Sequence, residues 1–279
     1  MKPFKILSSG LLVILFFLAC SKEKDPVQAD ETEGLQLVAT FHNDDHKIDL
    51  YTKNGKFQTG YNDIFFQIKD KQDRFINDAQ VEWAPVMHMS AMSHSCPSST
   101  VSKKEGTRSL YTGFIVFQMA GNDMEYWELT INYTAGDTAY SVKQKIQVTA
   151  APKRVVESFM GADEKRYILA LAAPAEPSVA VNDMKAVLYR MESMMLFTPA
   201  DGYTIKIDPR MPGMGNHSSP NNVDLTQEAD KLYHGKLSLT MTGYWKINLQ
   251  LANESGDIIK GESVTDNNES SSIYFELEF

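Results

Sequence analysis

Cysteine is nearly missing from this chain: two in 279 residues, Cys20 and Cys96. If Cys20 is taken by lipidation, as argued below, Cys96 has no intrachain partner, and it is free, paired to another molecule, or a ligand. Lys and Arg form no cluster and the net charge is −9. Phosphate binding needs such clusters, so no nucleic-acid partner is expected. Past Leu18 no apolar run is long enough to span a membrane, and no stretch carries the periodicity of a long helix. Catalytic signals are missing too. Ser and His abound between residues 88 and 99, yet no nucleophile elbow or strand-turn-helix context surrounds them. Cys96 and His94, two apart on an extended chain, point the same way, but an oxyanion hole and a cleft have no visible source. The expectation is a protein that binds and is no enzyme.

What is present begins with a leader. Lys2 and Lys5 precede an apolar run from Ile6 to Leu18 that ends in Ala19-Cys20, and a polar segment follows at once. This is the pattern of a bacterial secretory signal, too short and wrongly flanked for a membrane span. Phe17-Leu18-Ala19-Cys20 resembles a lipobox. Residues 1–19 are therefore expected to be a lipoprotein signal peptide, Cys20 the lipidated residue that anchors the chain to a membrane, and 20–34 a flexible tether. Ser21 stands where an inner-membrane retention signal favours Asp. That points to the outer membrane of the cell envelope, on its periplasmic or its surface face.

The remaining chain repeats itself. Met89-x-x-Met92-x-His94 is followed by Tyr111-x-Gly113, Met119-x-Gly121 and Trp127; Met211-Pro-Gly-Met214-x-x-His217 is followed by Tyr233-x-Gly235, Met241-x-Gly243 and Trp245. Tyrosine and the later methionine are eight residues apart both times, a coincidence that chance rarely gives twice. Copy one has four extra residues between Gly121 and Trp127, a difference that belongs in a loop. The duplication puts a seam near residues 151–162 and two domains at 35–150 and 163–279. Trp127, Leu129, Ile131 and Tyr133 alternate with polar residues, as do Trp245, Ile247, Leu249 and Leu251, which is the period of strands with one buried face. Asn54-Gly55, Gly136-Asp137 and Asp201-Gly202 supply turns. The expected fold class is all-β, two tandem immunoglobulin-like β-sandwich domains.

With these motifs in place, the chain resembles the YtkA-like/FixH-like domain family. The resemblance covers most of both copies; Met211-Pro-Gly-Met214 and Met241-x-Gly243-x-Trp245 match more closely than copy one, which has Ser90-Ala91 for Pro-Gly and adds Met87, His88 and Cys96. It implies a small envelope-facing β-sandwich, linked in that family with copper or cytochrome oxidase assembly.

The side chains point the same way on their own chemistry. Thioether sulfur is a soft, neutral donor suited to Cu(I) or Ag(I), and imidazole adds a borderline one. Met87, His88, Met89, Met92, His94 and Cys96 put six donors within ten residues, and Met211, Met214 and His217 form a sparser set. Cu(I) accepts such ligands without a strict geometry. The function expected is Cu(I) sequestration, delivery or handover, with a copper-efflux or oxidase-assembly protein of the envelope as partner. The competing expectation is a metal-free interaction or scaffold module in which the methionines plug a core. Met119 and Met241 share the parity of core residues, and Trp127 and Trp245 are expected as core pillars. His42 and His46 beside Asp44-Asp45 are expected as a solvated turn, His234 at the surface, and Met184, Met191, Met194 and Met195 as strand and core residues.

Overall fold

Alternation decides the layers. Trp127, Leu129, Ile131 and Tyr133 are buried, while Glu128, Thr130 and Asn132 lie on the opposite face of the same strand; Trp245, Ile247, Leu249 and Leu251 are buried likewise. The computed structural model describes residues 30–279, so the signal peptide 1–19, the lipidation site Cys20 and residues 20–29 of the tether lie outside the described residues. Among the described residues all regular structure is β apart from one 3-10 turn at Pro212–Met214, and no helix is long and apolar enough to cross a membrane.

The first half holds β1 (Gln36–His42), β2 (His46–Thr52), β3 (Phe57–Gln58), β4 (Gly60–Asp70), β5 (Gln80–His88), β6 (Ser93–His94), β7 (Ser102–Lys103), β8 (Tyr111–Phe117), β9 (Tyr126–Ala135), β10 (Thr138–Ile146) and β11 (Val148–Thr149). The second holds β12 (Val156–Met160), β13 (Arg166–Ala173), β14 (Val181–Ser193), β15 (Leu196–Pro199), β16 (Thr204–Met211), β17 (His217–Ser218), β18 (Val223–Gln227), β19 (Tyr233–Ser238), β20 (Tyr244–Ala252), β21 (Ile258–Lys260) and β22 (Tyr274–Glu278). In the first half two sheets, ordered β1-β2-β4-β8-β7 and β10-β9-β5-β6, enclose a core around Phe41, Leu50, Phe66, Phe117 and Trp127. In the second, one sheet runs β12-β13-β14-β19-β18-β16-β20-β21, with β22 also on β20 and β17 on β16, around a core of Tyr167, Leu188, Tyr233, Trp245 and Phe275. β18 joins the two layers that stay separate in the first half. Some pairings recur in the two halves: β5-β9 and β16-β20, β4-β8 and β14-β19, and the short edge strands β6 and β17.

The repeated Tyr-x-Gly motif has a packing reason. Tyr111 donates its hydroxyl to the Ile76 carbonyl and accepts the Ala79 N–H at 2.9 Å; Tyr233 donates to the Ala200 carbonyl at 2.6 Å and accepts the Tyr203 N–H. Each buried phenol thus pins a loop with both of its hydrogen-bonding functions. A Cβ on Gly113 would lie 2.7 Å from the Trp83 ring, and one on Gly235 2.4 Å from the Val223 carbonyl, so a neighbour occupies the side-chain volume in both copies.

The halves meet through a third apolar cluster, Val116, Ile168, Ala170, Val187 and Tyr189, with Phe114 and Tyr61 packed beside it. This explains three runs that do not alternate: Phe114-Ile-Val-Phe117, Ile168-Leu-Ala-Leu171 and Ala186-Val-Leu-Tyr189. One parity faces a half's own core and the other faces the partner half, as in any strand buried on both sides. Between the two halves, β12 occupies Val156–Met160 and pairs with β13. At the other end, residues 31–34 form a turn, and the Glu31 carboxylate accepts the N–H groups of Arg108 and Ser109.

Candidate metal centre

β5 and β6 make a hairpin whose register places Met87 opposite His94 and His88 opposite Ser93, while on the other side of β5 Met87 lies opposite Trp127. Side chains opposite one another share a face. Met87, fully buried, and the imidazole of His94 are therefore on the inner face with Trp127. The Met89 N–H donates to the Met92 carbonyl at 2.9 Å and closes the turn. Met89 has the parity of Met87 and packs against the core, while Met92 at the tip is 54% exposed. Along the hairpin the methionines thus go from buried Met87 through half-buried Met89 to exposed Met92.

His94 is oriented for a ligand's role. Its Nδ1 lies 2.7 Å from the Ser95 carbonyl, which can only accept, so in the neutral ring Nδ1 carries the proton and Nε2 the lone pair. A backbone carbonyl holding the other nitrogen is the common second partner of a metal-binding imidazole.

His88 does not join this group. Alternation turns it to the outer face, where it stacks on Tyr126 with ring centroids 5.0 Å apart and its Nε2 donates to Glu128 at 3.2 Å. Cys96 is on the inner side but sealed in the core, and burial pushes its thiol well above the ordinary range. Metal binding needs thiolate, so this environment disfavours Cys96 as an exchangeable ligand. Its packing is that of a small core hydrophobe.

In the second half Met211 lies opposite His217, as Met87 lies opposite His94. Pro209 and Met211 are buried on β16 as Pro85 and Met87 are on β5. The structural counterpart of Met211 is therefore Met87. The spacing of the Met-x-x-Met motifs instead aligns Met89 with Met211; the difference arises because the inward-facing Pro-x-Met pair sets the register, and the tip is free to vary. Met211 is buried, Met214 is 59% exposed on the Pro212–Met214 turn, and His217 is exposed. This set is open where the first is half enclosed.

Trp127 and Trp245 are fully buried, and each donates its indole N–H to the carbonyl of the repeated methionine, Met119 at 2.9 Å and Met241 at 3.0 Å. They are core pillars. His46 bonds to the Tyr133 hydroxyl at 2.9 Å and His234 to Asp230. Among the described residues no three His, Cys, Asp or Glu side chains converge as a cation site; a metal held by the hairpin would need thioether sulfur. Met184 is buried as expected, but Met194 and Met195 are not core residues: they are 38% and 55% exposed at the turn between β14 and β15. Sequence spacing gave no reason to connect that turn with His94.

No family model matches the chain, and no curated protein matches it. Among solved structures it is similar to a DUF4785 family protein from Legionella pneumophila, at 7% identity and a TM-score of 0.26 over 76% of this chain and 54% of that one. The chain spans about half the length of that protein. A likeness this distant says nothing about function.

Proposed function

We propose that the protein is a lipid-anchored envelope lipoprotein, built of tandem immunoglobulin-like modules of the YtkA-like/FixH-like kind, that binds Cu(I) as cargo. The ligands are the thioethers of Met89 and Met92 and the Nε2 of His94, with Met87 buried beneath them. Met211, Met214 and His217 form a second, weaker site. The observation that carries this reading is the shared inner face of Met87, Met89 and His94, together with the Nδ1 hydrogen bond that leaves Nε2 of His94 open.

The set suits a soft monovalent ion, since neutral sulfur and imidazole have little appetite for calcium or magnesium. Transfer proceeds by ligand exchange: exposed Met92 is the first ligand replaced by one from an acceptor, and half-buried Met89 and His94 follow. The acceptor is an efflux or oxidase-assembly protein of the envelope, and the role is binding rather than catalysis.

Anaerobic Cu(I) titration of the full chain in detergent, in competition with a chromophoric bidentate chelator, tests the reading. Wild type is expected to hold Cu(I) stoichiometrically, and the Met89→Ala/Met92→Ala/His94→Ala variant to lose it with its far-UV circular dichroism unchanged. Wild type that leaves all Cu(I) with the chelator sinks the proposal. A metal-free interaction module is the second reading, favoured by Val181 and Val223, both 54% exposed on strands that flank β19. Exposed apolar side chains of this kind suit a protein partner.

A further inference from the structure

The hairpin of the first half has a neighbour from the second. Ser193 and Leu196 pair across the β14–β15 turn, leaving Met194 and Met195 at its tip. The Met194 carbonyl accepts the backbone N–H of Ser95 at 2.8 Å. Ser95 directly follows β6, the edge strand of its sheet, so the turn is fastened to that free edge between His94 and Cys96. Packing does not account for two methionines here, because both are substantially exposed, and turn tips ordinarily carry Gly, Asn, Asp or Ser. Thioethers are, by contrast, soft-metal donors, and the hydrogen bond to Ser95 brings the backbone of this turn to within one residue of His94.

We propose that Met194 and Met195 supply further thioether ligation to the site of Met89, Met92 and His94, so that one soft monovalent ion is held by both halves of the chain. The inference rests on the Cu(I) reading above. It adds a consequence that a site confined to one hairpin lacks: loading ties the β14–β15 turn to β6 and stabilises the contact between the halves, since a ligand held by two elements favours the state in which they touch. Release to an acceptor then loosens that contact.

Ag(I), an air-stable stand-in for Cu(I), is the probe. Met194→Leu/Met195→Leu keeps apolar volume and removes both sulfurs. Titrated against the full chain in detergent, this variant is expected to bind Ag(I) at least about tenfold more weakly than wild type, a loss that even outer-sphere partners of a metal produce. Amide hydrogen exchange at Ser95, whose N–H bonds to Met194, is expected to slow on Ag(I) loading of wild type and not of the variant. Equal affinity and equal slowing in the variant would overturn the shared site while leaving the hairpin site standing. Failure of wild type to bind either Ag(I) or Cu(I) would overturn both.

Discussion

The imidazole of His94 stands edge-on to the indole of Trp127, with ring centroids 5.5 Å apart and planes at 89°. Trp127 is thereby a built-in reporter of whatever His94 binds. Ag(I) is expected to lower tryptophan emission in wild type and to lower it less in His94→Gln, which keeps a polar side chain but lacks the ring nitrogen. Trp83, on β5, and Trp245, in the core cluster that holds Met211 of the second set, are the same in both proteins, so the part of the fall that depends on His94 is the difference between the two titrations. A fall in emission of equal size in the variant would show that the ion acts elsewhere.

Cys96 and Ser219 occupy the same place in the two copies. Each follows its hairpin histidine by two residues, precedes a proline, and is buried. The Ser219 hydroxyl has no hydrogen-bond partner, whereas a thiol hardly needs one. Cys96→Ser is therefore expected to destabilise by about 1–3 kcal/mol, the penalty of burying an unpaired hydroxyl, and Ser219→Ala to be neutral or stabilising. Urea midpoints of the two variants measure the contrast, and equal losses would contradict the equivalence.

Glu31 gives the stability a pH dependence of known sign. Burial acts to raise its pKa, but the N–H groups of Arg108 and Ser109 and the Ser109 hydroxyl outweigh it and hold the carboxyl below its ordinary value. A folded pKa below the unfolded one stabilises fully above the unfolded pKa, and that contribution disappears as pH falls through the folded pKa. Glu31→Gln should thus lower the urea midpoint at about pH 7, and the gap to wild type should narrow as pH falls below the ordinary carboxylate range. A gap that is as wide in acid as at neutrality would refute this.

The strands of both cores were legible because their side chains alternate. Trp127 to Tyr133 and Trp245 to Leu251 carry their buried face in plain sequence, and the four extra residues after Gly121 fall in the loop between β8 and β9. The runs at 114–117, 168–171 and 186–189 were less legible, since an apolar stretch with no period does not say which second surface it covers. The same holds for the donors. Six within ten residues are conspicuous, but alternation along β5 sends Met87 inward and His88 outward, and only the strand pairing says which of them His94 joins.

By itself the sequence determined the all-β class, the recurrence of its Met, Tyr-x-Gly and Trp motifs, the buried face of the central strands and the concentration of soft donors near residue 90. All of these are local, set by side-chain period and by the chemistry of neighbours along the chain. The tertiary structure decided that Met87 rather than Met89 is the counterpart of Met211, that Cys96 is sealed in the core, and that Met194 lies against Ser95. Those relationships join residues far apart in the chain through register and sheet packing. A one-residue change of register reverses every face, and nothing in the local pattern specifies which turn of one half meets which edge of the other.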